Sequence, residues 1–288
     1  MCKEFAACIA WADGVVIATN VASIHASRVL SNNRTNLETA MARLASGRRL
    51  NAASDDAAAT SVAAKMTADI RSTNVAVRNI NDGISLLQTV DGVASTVEAS
   101  LTRMRELAVQ MANGTYDDTD RTNANKEFTA LTAEIERIAT KSAFNRVTFA
   151  DATPTGIKIQ TGAAQDDNLA ASELKLPDLT KSTLGISAAA INFATAATIA
   201  VTTVDAAIVT VAGYRADTGA SINRLGFALS NAQNVSQRLQ EALSGLQDTD
   251  YAAESAALAR GMVLAQAGSA MLAQANQAPQ YVLTLLRG

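Results

Sequence analysis

Residues 79–111 read NINDGISLLQTVDGVASTVEASLTRMRELAVQM, and their spacing decides the fold. Apolar side chains fall at Ile80, Ile84, Leu87, Val90, Ala94, Val97, Leu101, Met104, Ala108 and Met111. The intervals alternate between three and four almost throughout, which is one stripe of an α-helix held for about nine turns. A helix that long cannot bury its own stripe and needs a partner of similar length. Leu225, Leu229, Ala232, Val235, Leu239, Ala242 and Leu246 repeat the spacing far along the chain. The sequence therefore predicts a mainly α fold: an elongated antiparallel helical bundle or coiled coil that pairs N- and C-terminal segments, with the middle looped out.

Composition supports thin helical packing. Hydrophobic residues make up 48% of the 288 residues, but aromatics only 4%, and just three prolines interrupt the chain. Alanine-rich, aromatic-poor sequences suit bundles of slender helices. The net charge of −3 gives no support to nucleic-acid binding. Cys2 and Cys8 both lie at the extreme N-terminus, beside Trp11, which excludes a disulfide framework and a cysteine-based metal site in the rest of the chain. No uninterrupted run of 18 apolar residues is present, so no membrane association is expected. Residues 2–12 have a short apolar part that contains Glu4, a poor match to a cleaved signal peptide. The first 14 residues differ in character from the rest of the chain, and the genuine start is expected near Val15 or Val16.

Around the central helix the chain reads in order. Residues 17–46 form a weakly charged first helix with apolar Val21, Ile24, Leu30, Leu37, Met41 and Leu44. Alone it is marginal. Gly47 suits its C-terminal cap, and Asp55 or Asp56 suits the N-cap of the next helix. The Arg48–Arg49 pair beside Asp55 and Asp56 reads as a loop braced by ion pairs rather than an acid–base site. A third helix, about Arg121 to Lys141, carries Phe128, Leu131, Ile135 and Ile138. Ile157 and Ile159, then Leu174 and Leu176, alternate as in small β-hairpins. Residues 188–212 read equally well as strand or helix. From Arg215 the helical pattern resumes to about Gln247, and a last helix from about Ala252 carries Leu258, Met262, Ala265, Leu272 and Ala275, with Pro279 a candidate kink.

These residues carry a resemblance. The stretches TNVASIHASRVLS, LETAMARLASGRRLNAASDDAAA, RNINDGISLLQTVDG and LTRMRELAVQMANGT resemble the opening of bacterial flagellin. The stretch from GASINRLGFALSNAQ to APQYVLTLLRG resembles its C-terminus. Together they cover roughly residues 16–150 and 213–288. The resemblance implies a short flagellin: a structural subunit that polymerises into the extracellular filament used for motility, with no enzymatic activity and no cofactor. It implies inner-layer helices at 15–50 and 251–288, a second-layer helical domain built from 51–150 and 213–250, and a short variable hairpin region at 151–212. The implied partners are other copies of the chain, the flagellar export apparatus and an export chaperone, and the filament cap and hook-junction proteins. In flagellins that animal Toll-like receptor 5 binds, an R-x-R-E-L-A-V-Q motif and a Glu on the next helix make contact. Here RMRELAVQ places Arg103, Leu107 and Glu127 at those positions, which also suit packing between subunits. Arg146 in AFNRVTF departs from the glycine usual in the family.

Two rivals share features with this reading. A hook–filament junction protein has similar helical ends, although RMRELAVQ and the terminal sequence favour flagellin. An inserted metalloprotease needs an H-E-x-x-H helix, and His25 is the only histidine, which also removes a Ser-His-Asp arrangement. An adhesin role would reside in residues 155–212.

Overall fold

The structure, a computed structural model, describes residues 19–151, 157–162, 168–170, 174 and 176–287, of which 168–170 and 278–287 are described by backbone alone. The expectations for residues 1–14 lie outside the described residues. Five α-helices are described: α1 (Val21–Ser46), α2 (Ala57–Ala112), α3 (Asp118–Lys141), α4 (Ala194–Gln247) and α5 (Tyr251–Arg287). Strands β1 (Ala143–Phe144) and β2 (Val147–Thr148) pair antiparallel, as do β3 (Lys158–Gln160) and β4 (Asn168–Ala170). The chain divides into two compact units, Met1–Lys65 with Ala242–Gly288, and Met66–Glu241.

In the first unit α1 and α5 run antiparallel. The Asn20 side chain accepts from Ser23 N at 3.0 Å to cap α1, and Gly47, at φ 69°, ends it. The α1 positions turned away from solvent are Ala26, Leu30, Asn33, Leu37, Ala40 and Leu44, and those of α5 are Glu254, Leu258, Gly261, Ala265, Gly268, Leu272 and Ala275. Both rows alternate threes and fours, so the two helices meet along a coiled-coil-like seam. This corrects the stripes read from sequence, because Val21, Ile24, Met41 and Met262 face out. The reason is the size of the seam residues. Leu37 and Leu30 lie over Gly261 and Gly268, where a Cβ would stand 3.6 Å and 3.3 Å from their Cδ1 atoms. Small residues let the backbones approach, so the bulkier apolar side chains are left on the outside. The α5 backbone continues as helix through Pro279.

In the second unit the α2 stripe is buried as its spacing requires. Ile80, Leu87, Val90, Ala94, Val97, Leu101, Met104, Ala108 and Met111 are inaccessible or nearly so, while Ile84 is partly buried. Its partners differ from the expectation. Only Ile80 and Leu87 share a core with Leu225 and Ala232 of α4, joined by Ile159 and Leu174. From Val90 to Met111 the stripe packs with Phe128, Ile135 and Ala139 of α3, and with Ala197, Ala200, Val204, Ala207 and Val211. The ambiguous residues 188–212 thus begin α4 at Ala194, and this extra helix covers the half of α2 assigned to a later segment. Along α4, Leu229, Leu239 and Leu246 are partly buried, but Val235 is 42% exposed and Ser236 takes the buried position, bonded to Asn74 Oδ1 at 2.9 Å. The strand expected at Leu174 and Leu176 is instead 168–170, which pairs Leu169 with Ile159.

Two helices contain windows apolar enough by length and composition to cross a bilayer, Ala194–Gln247 and Tyr251–Gln277, with mean hydropathy 1.7 and 1.2. The expectation of no such segment holds only for unbroken apolar runs; averaging over interspersed threonines and glycines raises these alanine-rich helices past the threshold.

Candidate functional site

Two surfaces concentrate the features singled out by sequence. The first is polar and belongs to α2 and α3. Arg103 Nε donates to Glu127 Oε1 at 2.9 Å, and Arg103 Nη1 donates to Glu106 Oε2 at 3.0 Å. Glu127, then Glu106, hold the Arg103 guanidinium more firmly protonated than usual. All three side chains remain about half exposed, so this pairing contributes little to stability. Leu107 is different. It is 4% exposed and belongs to the core beneath, so the structure brings Arg103 and Glu127 together at the surface but withholds Leu107.

Neighbouring charges form two further bridges to α4 that the sequence did not suggest. Arg105 Nε donates to Asp205 Oδ1 at 2.5 Å. Arg215 donates from Nε to Asp91 at 2.8 Å and from Nη1 to Glu98 at 2.7 Å, and the two acids, Asp91 foremost, raise its affinity for its proton. A forked guanidinium between two carboxylates one helical turn or two apart fixes the register of α4 on α2.

The loop after α1 is built otherwise than expected. Asp55 Oδ2 accepts from Asn51 N and Ala52 N, each at 3.0 Å, and Asp56 Oδ1 accepts from Ala59 N at 2.9 Å to cap α2. The carboxylates therefore serve the backbone, and Arg48 and Arg49 do not pair with them. Arg49 donates from Nη2 to Leu246 O at 2.8 Å and from its amide to Gln247 O at 2.7 Å, while Arg48 bridges Asp248 through the backbone. Both arginines clasp the end of α4 because backbone carbonyls at a helix C-terminus lack intrahelical donors.

The second surface is apolar and belongs to the α1–α5 pair. Val21, Ile24, Val29 and Met41 of α1, and Met262, Val263, Leu264 and Met271 of α5, are each more than half exposed. So many bulky apolar side chains on two thin helices form far more open apolar surface than an isolated soluble chain tolerates. The seam beneath is register-specific. Asn33 Nδ2 donates to Gly261 O at 2.9 Å, Asn20 Nδ2 to Ala275 O at 2.7 Å, and Tyr251 OH to Leu44 O at 3.1 Å. Hydropathy could not single out these residues, since asparagine and glycine break an apolar stripe on paper. Among the described residues no group of three or more His, Cys, Asp or Glu is placed to hold a metal.

Comparisons agree with this arrangement. Residues 17–153 match the family described as bacterial flagellin N-terminal helical region, and residues 201–286 its C-terminal helical region. The chain is 40% identical over 273 residues to a flagellin of Halalkalibacterium halodurans, covering 95% of this chain and 100% of that one. It is 35% identical to a flagellar filament 30.7 kDa core protein of Treponema maltophilum, covering 94% and 100%. Among solved structures, a flagellar hook-associated protein of Vibrio parahaemolyticus matches with TM-score 0.53 at 16% identity, over 67% of this chain and all of that one, a likeness of fold alone.

Proposed function

This chain belongs to the bacterial flagellin family and is a structural subunit of the extracellular flagellar filament, and on that premise we propose that neighbouring copies cover the apolar face left open by α1 and α5. The single observation behind this is the row from Val21 to Met41 and from Met262 to Met271, exposed on a pair whose internal seam is made of small residues. Covering that row supplies the hydrophobic driving force for polymerisation. A contact between unlike faces repeats without closing and yields an open helical polymer. In this reading residues 15–50 and 251–288 form the inner layer, and 51–150 and 213–250 the second.

The exposed Arg103–Glu127 pair is assigned to contacts between copies, and to Toll-like receptor 5 when the subunit is free. Burial of Leu107 supports giving it the role of core beneath that patch. The reading extends to export by the flagellar apparatus with an export chaperone and without a cleaved signal, to the filament cap and hook-junction proteins as neighbours, and to a chain that is not an enzyme. Seeded growth tests it. Purified subunits added to short filament fragments should lengthen them under electron microscopy. Subunits that instead terminate the fragments would transfer the chain to the hook–filament junction reading.

A further inference from the structure

One side of the α1–α5 pair is a groove of about 560 Å³ whose lining includes His25, Val29 and Asn36 of α1 and Leu264, Gly268 and Met271 of α5. Val29, Leu264 and Met271 expose more than half their surface into it, and Gly268 leaves its floor low. The opposite side of α5 carries a ridge. Met262 and Leu264 are two residues apart and so point about 200° apart around the helix. Met262 and Val263, also more than half exposed, therefore project away from the groove. A groove on one side and an apolar ridge on the other make the pair complementary to a second copy of itself in head-to-tail fashion.

His25 is the only histidine in the chain and is exposed on the groove wall. It makes no hydrogen bond or ion pair with the described residues. No titratable group of α5 lines the groove; between Glu254 and Gln277 that helix carries only Arg260. On α1 the neighbouring charge is Arg28, one turn on, followed by Arg34, and the first carboxylate on the helix, Glu38, is about 20 Å further along the axis. A proton on His25 would thus sit among apolar side chains with a cation beside it and no acid on either helix to balance it.

We propose that this groove seats the apolar ridge of a second copy and that His25 gates the contact, permitting burial when neutral and opposing it when protonated. The proposal rests on the filament reading. Histidine is the side-chain type that ordinarily changes charge between pH 5 and 8. Burying a cation without a partner is costly, so the free subunit takes up the proton more readily than the assembled one. By linkage, acid then shifts the balance toward free subunits, and assembly strengthens as pH rises.

The test is seeded growth of the full chain at pH 8 and pH 5.5, with the subunit concentration left in solution at steady state as the readout. The unaltered chain should leave about tenfold more subunit unassembled at pH 5.5, the equivalent of one unit of proton-affinity difference. His25→Gln should reduce that response to less than about twofold, and His25→Lys should raise the unassembled concentration at both pH values. Circular dichroism of the free subunits confirms that the variants keep their helix. A His25→Gln chain that keeps the full acid response, or an unaltered chain with none, overturns the gate. Failure of the unaltered chain to extend seeds even at pH 8 overturns the filament reading itself, and the gate with it.

Discussion

Asn33 Nδ2 reaches across the α1–α5 seam to the carbonyl oxygen of Gly261 at 2.9 Å, at a point where α5 has no side chain to keep the helices apart. A polar side chain within an otherwise small and apolar seam selects one register, because sliding either helix leaves the amide unsatisfied. Asn33→Ala should weaken the pair by about 1 kcal/mol. The loss is read as a lower midpoint for thermal unfolding of the free subunit at 222 nm, and an unchanged midpoint would remove Asn33 from the register.

Arg121 should matter more. Its guanidinium is 7% exposed and donates from Nε to Met111 O and from Nη2 to Asn113 O, both at 3.0 Å, and from Nη1 to Asp118 at 3.2 Å. It serves as the C-terminal cap of α2 and ties the turn to α3. Arg121→Met keeps the volume but leaves two carbonyls without donors, at a cost of about 2–3 kcal/mol. Urea unfolding followed by near-ultraviolet absorption of Tyr116, within the same turn, would measure it.

The β1–β2 turn predicts a gain. Asn145 and Arg146 have φ of 50° and 70°, the left-handed pair that a two-residue hairpin favours. Asparagine tolerates this conformation, while a long side chain does not. Arg146→Gly should stabilise the second unit by about 1 kcal/mol. A lower urea midpoint in the variant would contradict it.

Two carboxylates make local order sensitive to acid. The amides of Ala52 and Asn51 hold Asp55 below the usual carboxylate range. Burial pushes Asp178 up, but hydrogen bonds from Thr183 and from the side chain and amide of Thr180 outweigh it and bring it below that range. Each group has its affinity for protons lowered by folding. Their contribution is therefore present in full above about pH 4, the ordinary carboxylate value, and is lost as pH falls through the lowered folded values. Amide exchange at Asn51, Ala52 and Thr180 should quicken in that acid window, corrected for intrinsic rates. Asp55→Asn should abolish the pH dependence at the first two only.

The α2 stripe was legible because its residues are large. From Ile80 to Met111 a three-and-four spacing of Ile, Leu, Val and Met can serve only one face of a helix, and that face is buried. The α3 stripe was legible for the same reason. The α1–α5 seam was not, since Ser23, Ala26, Asn33, Ala40, Gly261 and Gly268 carry almost no hydropathy signal. Hydropathy points instead to Val21, Ile24, Met41 and Met262, which face outward. Their outward position is informative: bulky residues off the internal seam belong to a contact with another chain. Residues 194–212 resisted assignment because alanine favours helix while valine, isoleucine and threonine favour strand, and only packing on α2 decides between them. Arg103 and Glu127 were paired by family resemblance, whereas the bridges from Arg105 and Arg215 join residues at least 100 positions apart, which spacing cannot reveal.

Polymerisation, in this account, depends most on copies of the chain covering the open face of α1 and α5. Leu264→Asp places a charge on that face, outside the internal seam, and leaves the α1–α5 pair intact. Filament fragments are extended with this variant, and the subunit concentration remaining at steady state is compared with that of the unaltered chain at pH 8. Burial of an unpaired carboxylate predicts a rise of about tenfold or more, with helix content unchanged in the free subunit. Growth to the same steady-state concentration as the unaltered chain would contradict the account, and would place the polymer contacts elsewhere on the molecule.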